Sequence, residues 1–178
     1  MKRLKTLACA SGKPMNKLPD WHELQAIRES ARASGSTVVW TNGAFDLLHP
    51  GHVASLQQAR ALGDVLIVGL NSDRSVKASK GPSRPILNQN ERAAMLAALE
   101  CVSAVIIFDE DTPVECLTKL RPDIHCKGAE YAPPHGRPVP ERSVVEAYGG
   151  RIEYLPLVSG VSTTEILRRI RLAEGSPA

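Results

Sequence analysis

Thr41-Asn42-Gly43-Ala44-Phe45-Asp46-Leu47-Leu48-His49-Pro50-Gly51-His52 decides the reading of this chain, because it sets two imidazoles three residues apart where a strand gives way to a helix. Before it, Thr37-Val38-Val39-Trp40 is β-branched and apolar, as a buried strand is. After it, Val53 through Leu62 carries apolar residues at helical spacing. Such a turn is a place to hold phosphate. Gly43 and Gly51 let the backbone approach a ligand, and the unpaired N–H groups and positive dipole end of the helix attract anions. His49 and His52 add donors that follow charge as it develops on phosphorus, without acting as nucleophiles. Two other readings of the pair stay open at this level. Zinc would need further ligands, and His22, His125 and His135 lie in unrelated contexts. Alternatively, His49 only caps the turn and His52 sits on the helix surface.

A second phosphate-type element lies near the C-terminus, at Gly160-Val161-Ser162-Thr163-Thr164-Glu165-Ile166-Leu167-Arg168-Arg169-Ile170. Ser162 or Thr163 suits an N-cap, Glu165 stands at the reciprocal capping position, and Ile166, Leu167 and Ile170 form an apolar stripe. Three consecutive hydroxyls exceed what one cap needs and suit the β- and γ-phosphates of a nucleotide at a helix start. A well-capped terminal helix is the plainer alternative.

Between and around these elements, apolar strand-like runs alternate with helical patterns. Strands are predicted near residues 38–41, 65–70, 104–108, 124–127 and 152–155, and helices near 51–62, 88–100, 113–120, 142–148 and 163–172. That alternation specifies an α/β domain, a Rossmann-like, doubly wound, parallel five-stranded sheet with helices on both faces. Ligands in such sheets bind beyond the carboxyl ends of the strands, so the loops at His49, Asn71, Lys127 and Ser162 should converge on one edge. The expected organisation is a basic flexible tail over residues 1–18, an N-terminal helix over 19–35 capped by Asp20, one main domain over 36–172 and a short tail over 173–178. With 178 residues and 43% hydrophobic content, the chain fits one domain with a real core and leaves no room for a second catalytic domain.

The net charge of +3 reflects Lys2, Arg3, Lys5, Lys13 and Lys17 in the tail. No aromatic residues interleave with them and no nucleic-acid reader module is present, so a nucleic-acid partner is not expected. The apolar run Leu7-Ala8-Cys9-Ala10 is too short for an export signal, and no stretch approaches the roughly 20 apolar residues of a membrane span. Cys9, Cys101, Cys116 and Cys126 show neither CxxC spacing nor a dense framework, which points to reduced thiols in a cytoplasmic protein, with Cys101 and Cys126 as core fillers.

Further short blocks punctuate the chain. These are Leu62-Gly63-Asp64, Asn71-Ser72-Asp73, Lys80-Gly81, Ser83-Arg84-Pro85, Glu91-Arg92, Glu110-Asp111-Thr112-Pro113 and Lys127-Gly128-Ala129-Glu130-Tyr131. Taken in order with the His49 and Ser162 elements, they resemble the HxGH nucleotidyltransferase superfamily of cytidylyltransferase-like proteins over residues 36–171. Within it they are similar to the heptose 1-phosphate adenylyltransferases that make ADP-heptose for lipopolysaccharide cores. Three departures stand out. Ala44 replaces a frequent Cys, Glu130 replaces the usual Asp, and the segment from Leu157 to Thr163 lacks the Arg that cytidylyltransferases of the glycerol 3-phosphate type keep there.

The resemblance implies transfer of AMP from ATP to D-glycero-β-D-manno-heptose 1-phosphate. It places His49, His52 and Lys80 in the catalytic set, and Gly43, Ala44, Phe45, Gly51, Lys127, Gly128, Glu130, Ser162, Thr163 and Thr164 around the nucleotide. Asn71, Asp73, Lys77 and Arg84 fall to the acceptor, with Lys77 and Lys80 on a flexible Ser/Gly/Pro-rich segment, while Asp46 orders the phosphate loop. Mg²⁺ accompanies ATP and no side-chain metal site is implied. The partners are ATP and the sugar 1-phosphate, with a homodimer allowed and with a separately encoded sugar kinase and phosphatase in the pathway. A cytidylyltransferase acting on another phosphorylated acceptor, or a non-catalytic nucleotide sensor, remains as an alternative.

Overall fold

Apolar β-branched runs punctuated by capped helical stretches give, along the chain, α1 (Trp21–Ala33), β1 (Val38–Gly43), α2 (Pro50–Ala61), β2 (Val65–Asn71), α3 (Asp73–Lys80), α4 (Gln89–Ala97) and β3 (Ala104–Phe108). There follow α5 (Val114–Leu120), β4 (Ile124–Gly128), a 3-10 turn (Ala129–Tyr131), α6 (Arg142–Ala147), β5 (Arg151–Leu155) and α7 (Thr163–Ala173). The computed structural model describes residues 16–158, 160–173 and 175. Most of the basic tail expected over 1–18 lies outside the described residues. Lys17, counted in that tail, is instead anchored: its Nζ donates to the Leu99 carbonyl at 2.9 Å and its own carbonyl accepts from Val105 N at 2.8 Å.

The five strands pair in the order β3-β2-β1-β4-β5, every pair parallel. The chain moves outward from β1 to β3, then returns to the other side of β1. This reversal makes the carboxyl end of β1 the crevice of the sheet. Alternate residues of the central strands face opposite layers. Val38, Trp40, Val65 and Ile67 pack under α1, α5 and α6, while Val39, Leu66, Val68 and Leu70 pack under α2 and α4. Residues 65–70 of β2 are all buried, as a strand covered on both faces requires. Gly69 is needed there, since a Cβ would run into the Trp40 indole.

One element departs from expectation. The segment carrying Lys77 and Lys80 is not a flexible loop but helix α3, with Ser72 Oγ accepting from Ser75 N at 3.2 Å as its N-cap and Asp73 in its first turn. Such a cap is enough to start a helix, and Gly81, at φ 95, ends it.

Two arginines stitch these layers. Arg28 of α1 makes a bidentate bond to Asp123 at 2.9 and 3.0 Å, and Asp123 also accepts from Val38 N at 2.8 Å, locking α1 to the start of β1. Arg92 of α4 is almost completely buried. Its guanidinium donates to the carbonyls of Leu87 (3.0 Å), Ala44 (2.5 Å) and Asn71 (2.9 Å) and to Asp73 Oδ1 (2.7 Å). Arg92→Ala should therefore destabilise the protein by about 3–5 kcal/mol, because it strands a carboxylate and three carbonyls. Arg92→Lys should recover only part of this, since an ammonium cannot span a planar fork. Denaturant midpoints check both, and a loss below about 1 kcal/mol for Arg92→Ala would remove the arginine from this role.

Candidate active site

Beyond β1 the chain crosses to α2 through a loop with two non-glycine residues in the left-handed region, Phe45 at φ 45 and Leu47 at φ 49. Such conformations cost on the order of 1 kcal/mol each and persist only where the surroundings over-determine them. Asp46 between them supplies that restraint. Its buried carboxylate accepts from Ile86 N at 3.0 Å, Leu87 N at 3.2 Å and Arg84 Nε at 2.6 Å. Burial alone would raise its pKa, but those backbone donors and the Arg84 guanidinium hold the carboxyl below its ordinary value. From the other side, Thr163 Oγ1 donates to the Asp46 carbonyl at 2.8 Å.

His49 is the N-cap of α2. Its Nδ1 accepts from His52 N at 3.3 Å, so the proton of the neutral ring resides on Nε2. The two imidazoles stack with centroids 3.7 Å apart at 18°, and Phe45 meets His52 edge-on at 5.3 Å. Gly51 leaves room for this stack, because a Cβ there would lie 3.1 Å from the His49 ring. Capping and ligand contact are thus not exclusive: one nitrogen of His49 caps while the other is a donor. Zinc gains nothing from the arrangement, since among the described residues no group of three or more His, Cys, Asp or Glu side chains comes together as a metal site.

Both histidines are neutral at ordinary pH. Burial lowers the pKa of His49, and burial together with the neighbouring His49 and Lys80 pushes His52 down to about 4. Lys80, at the last turn of α3, is lowered by burial and by Arg84.

These groups open onto one cleft of about 1280 Å³ at the carboxyl edge of the sheet. The β2–β3 flank presents Asn71, Lys80, Arg84, Asp111 and Thr112, and the β4–β5 flank presents Lys127, Gly128, Tyr131, Pro140, Leu157 and Val158. The cleft walls include Gly43, Ala44, Phe45, Gly51, Glu130, Ser162, Thr163 and Thr164 as well. Asp73 and Lys77 are not among them. Asp73 is paired with Arg92 at 2.7 Å, and the helical backbone leaves Lys77 exposed outside the cleft, so neither is placed to meet an acceptor there. Asn71 faces the cleft with its Nδ2 donating to Ser75 Oγ at 3.0 Å.

The three hydroxyls of the terminal helix have separate fates. Ser162 Oγ accepts from Glu165 N at 3.1 Å as the cap, and Thr163 is taken by the Asp46 carbonyl. Among the described residues the Thr164 hydroxyl has no hydrogen-bond partner. Glu165 does not complete a capping box, because its carboxylate pairs with Arg168 and Arg169 at 2.8 and 2.9 Å.

At the β4 end, Lys127 Nζ lies 2.8 Å from Glu141 Oε1 and 4.4 Å above the Tyr131 ring, so its charge is occupied within the protein. The same Glu141 oxygen accepts from His125 Nε2 at 3.0 Å. Glu141, which sequence reasoning missed, is buried. Burial would raise its pKa, but the bonds from His125 and Lys127 outweigh this and bring it down to about 2. His125 is lowered by burial, so the pair is a carboxylate and a neutral imidazole. The Pro-rich stretch over 133–140 contributes Pro138 and Pro140 to the cleft beside Glu141 and Tyr131.

The sequence model of the family described as Cytidylyltransferase-like matches residues 40–169. The chain is 54% identical over 147 residues to the Bifunctional protein HldE of Syntrophotalea carbinolica, which covers 83% of this chain and 29% of that protein. It is 46% identical over 167 residues to the Bifunctional protein HldE of Pelobacter propionicus, 94% of this chain and 34% of that one. The chain thus spans about a third of the length of these relatives. Among solved structures it is similar to the lipopolysaccharide core biosynthesis protein from Thermoplasma volcanium, with a TM-score of 0.56 and 27% identity over 70% of this chain and 98% of that one. It shares its fold with a pantoate-beta-alanine ligase from Francisella tularensis, with a TM-score of 0.52 and 13% identity over 86% of this chain and 76% of that one. Among the described residues no helix is long and apolar enough to cross a membrane.

The depressed His52 pKa has a measurable consequence. Its imidazole proton signals should titrate with a midpoint near 4, leaving the ring neutral wherever the enzyme would work. Because the folded value lies below the ordinary 6.5, the unfolded chain binds this proton more readily, and stability should fall as pH drops from 6.5 towards 4. An NMR midpoint near 6.5 would contradict the burial of this ring.

Proposed function

The chain belongs to the cytidylyltransferase-like family, and from that premise we propose that it is a nucleotidyltransferase that moves AMP from ATP to D-glycero-β-D-manno-heptose 1-phosphate. Pyrophosphate and ADP-heptose are the products. The observation that carries the reading is the stacked pair of neutral imidazoles at the start of α2, opening onto a cleft whose flanks differ in chemistry. Similarity to a solved protein described as acting in lipopolysaccharide core biosynthesis supports the choice of sugar. The match to about a third of proteins named bifunctional supports one activity in this stretch.

In this mechanism an oxygen of the sugar phosphate attacks the α-phosphorus of ATP, and the bond to pyrophosphate breaks. A phosphate oxygen is already a competent nucleophile, so no covalent enzyme intermediate and no general base is required. His49, through Nε2–H, and His52 donate to the α-phosphate oxygens and bind them more strongly as negative charge gathers there. Their neutrality matters: they donate without the desolvation cost of two adjacent buried cations. Lys80 supplies the positive charge from the β2–β3 flank, where the incoming sugar phosphate enters, and Arg84, its charge paired with Asp46, adds N–H donors there. The start of α7, with Ser162 and Thr164, receives the departing pyrophosphate.

Magnesium arrives with ATP on this reading. Asp46, the carboxylate of the phosphate loop, is committed to Arg84 and to backbone N–H groups, so the ion would be held by phosphate oxygens, water and the hydroxyls of Ser162 and Thr164. It supplies neutralisation of the charge leaving with pyrophosphate.

ATP is the proposed donor rather than CTP. Triphosphate contacts cannot tell bases apart, and Lys127 is bound to Glu141, so discrimination falls to the backbone of the Gly128 turn and to a wall carrying Leu157 where cytidylyltransferases keep an Arg.

Pyrophosphate release with heptose 1-phosphate and each of ATP, CTP, GTP and UTP should favour ATP by roughly tenfold or more. A win for CTP would move the chain to the cytidylyltransferases, and no release with any nucleotide despite ATP binding would favour another acceptor or a sensor. His49→Ala and His52→Ala should each lower kcat by about 100-fold while weakening ATP binding far less. Equal losses in both would make the imidazoles ground-state anchors instead.

A further inference from the structure

The two flanks of the cleft are suited to different halves of a nucleotidyl transfer. The β2–β3 flank carries Lys80, Arg84, the Asp111 carboxylate and hydroxyl and amide groups, the chemistry of a phosphorylated polyol site. The β4–β5 flank carries the Tyr131 ring, prolines and the exposed apolar side chains of Leu157 and Val158, which a base and ribose would cover. With the phosphates at the start of α2 between them, the nucleoside belongs on the second flank.

What holds that flank in place is a chain of polar contacts that starts deep in the sheet. His125 and Lys127 are two apart on β4 and so share a face, and both reach the same oxygen of Glu141, at 3.0 and 2.8 Å. Glu141 immediately precedes α6, so this oxygen clamps that helix start to the strand. The Lys127 ammonium, in turn, sits 4.4 Å above the Tyr131 ring in the 3-10 turn that follows β4. Glu141 and His125 are buried, and Lys127 is only 13% exposed, so solvent does not screen these contacts away.

Resting on the nucleotidyltransferase reading, we propose that Glu141 is a positioning residue for the nucleoside: by holding Lys127 it fixes Tyr131 and the 129–131 turn as the wall against which base and ribose bind. Glu141 touches no phosphate in this arrangement. Its effect is confined to the nucleoside end, and it acts through the orientation of Lys127 and Tyr131.

Calorimetric titration with ATP and, separately, with tripolyphosphate, both with Mg²⁺, tests this directly. Tripolyphosphate probes the phosphate end alone. Glu141→Gln keeps the size of the side chain but removes the charge that holds Lys127, and it should weaken ATP by about tenfold while changing tripolyphosphate affinity less than about twofold. Lys127→Met should do the same, Lys127→Arg should restore part of the loss, and the double variant should be no worse than either single one. If Glu141→Gln does not fold, Lys127→Met and the half-exposed Tyr131→Ala carry the test with the same expected split. Equal weakening of both ligands, or of neither, would overturn the positioning role. Wild-type protein that binds no ATP at all would instead overturn the nucleotide reading, and this inference with it.

Discussion

A guanidinium buried among carbonyls holds the carboxyl end of this sheet together. Arg92 rises from α4 and bonds the loop after β1 through Ala44, the end of β2 through Asn71, the start of α3 through Asp73, and the approach to α4 through Leu87. A buried charge is stable only when its donors are matched, and a guanidinium has five in a rigid fork. Four segments are thereby tied to one side chain. Because Leu87 and Ile86 donate in turn to Asp46, the phosphate loop inherits the same rigidity. Its strained residues at 45 and 47 are held before any ligand arrives, which is the condition under which fixed donors lower a barrier rather than merely bind.

The charge plan follows from that rigidity. Acidic groups near the loop after β1 are neutralised internally, Asp46 by Arg84 and Asp73 by Arg92, so neither leaves a free carboxylate beside the cleft. The imidazoles contribute hydrogen bonds without charge, and net positive charge is left to Lys80 on one flank. On the other flank Lys127 is cancelled by Glu141, leaving the Tyr131 ring, prolines and apolar side chains beside the Glu130 carboxylate. One cleft therefore offers two chemically distinct halves on either side of β1.

The sheet was legible in the sequence because its strands are continuous apolar runs, and because the turn at Gly43 to His52 shows its cap, its proline at the first helical position and its glycine in the right places. Helix α3 was not. It is eight residues long and carries Val76 as its one buried apolar residue, so no apolar stripe announces it, although Ser72 followed by Asp73 is a cap signature. Arg92 stands in the sequence as part of a short block, but nothing in one dimension shows that four acceptors from residues 44 to 87 close around it. Glu141 was hidden for the same reason. Its partners lie 14 and 16 residues away and meet it only because β4 is threaded into the sheet interior. Asp73 was read toward the acceptor from a short block and Lys77 from a segment taken as flexible, whereas in the fold one is paired with Arg92 and the other stands on a helix outside the cleft.

The terminal helix shows how polar contacts can replace a core. No residue of α7 is fully buried, so apolar packing does little to locate it. The Thr163 bond to the Asp46 carbonyl ties its first turn to the phosphate loop, and the Val161 carbonyl comes close to Gly51 at the start of α2. Two helix N-termini are thus brought together by a hydroxyl and a glycine. Their dipole ends are alike in sign, so on the proposed reading a phosphate bound between them would relieve their repulsion. On the nucleotidyltransferase reading the attachment of α7 and the occupancy of the phosphate site would be linked: whatever holds Thr163 on Asp46 would favour the anion, and the anion the bond.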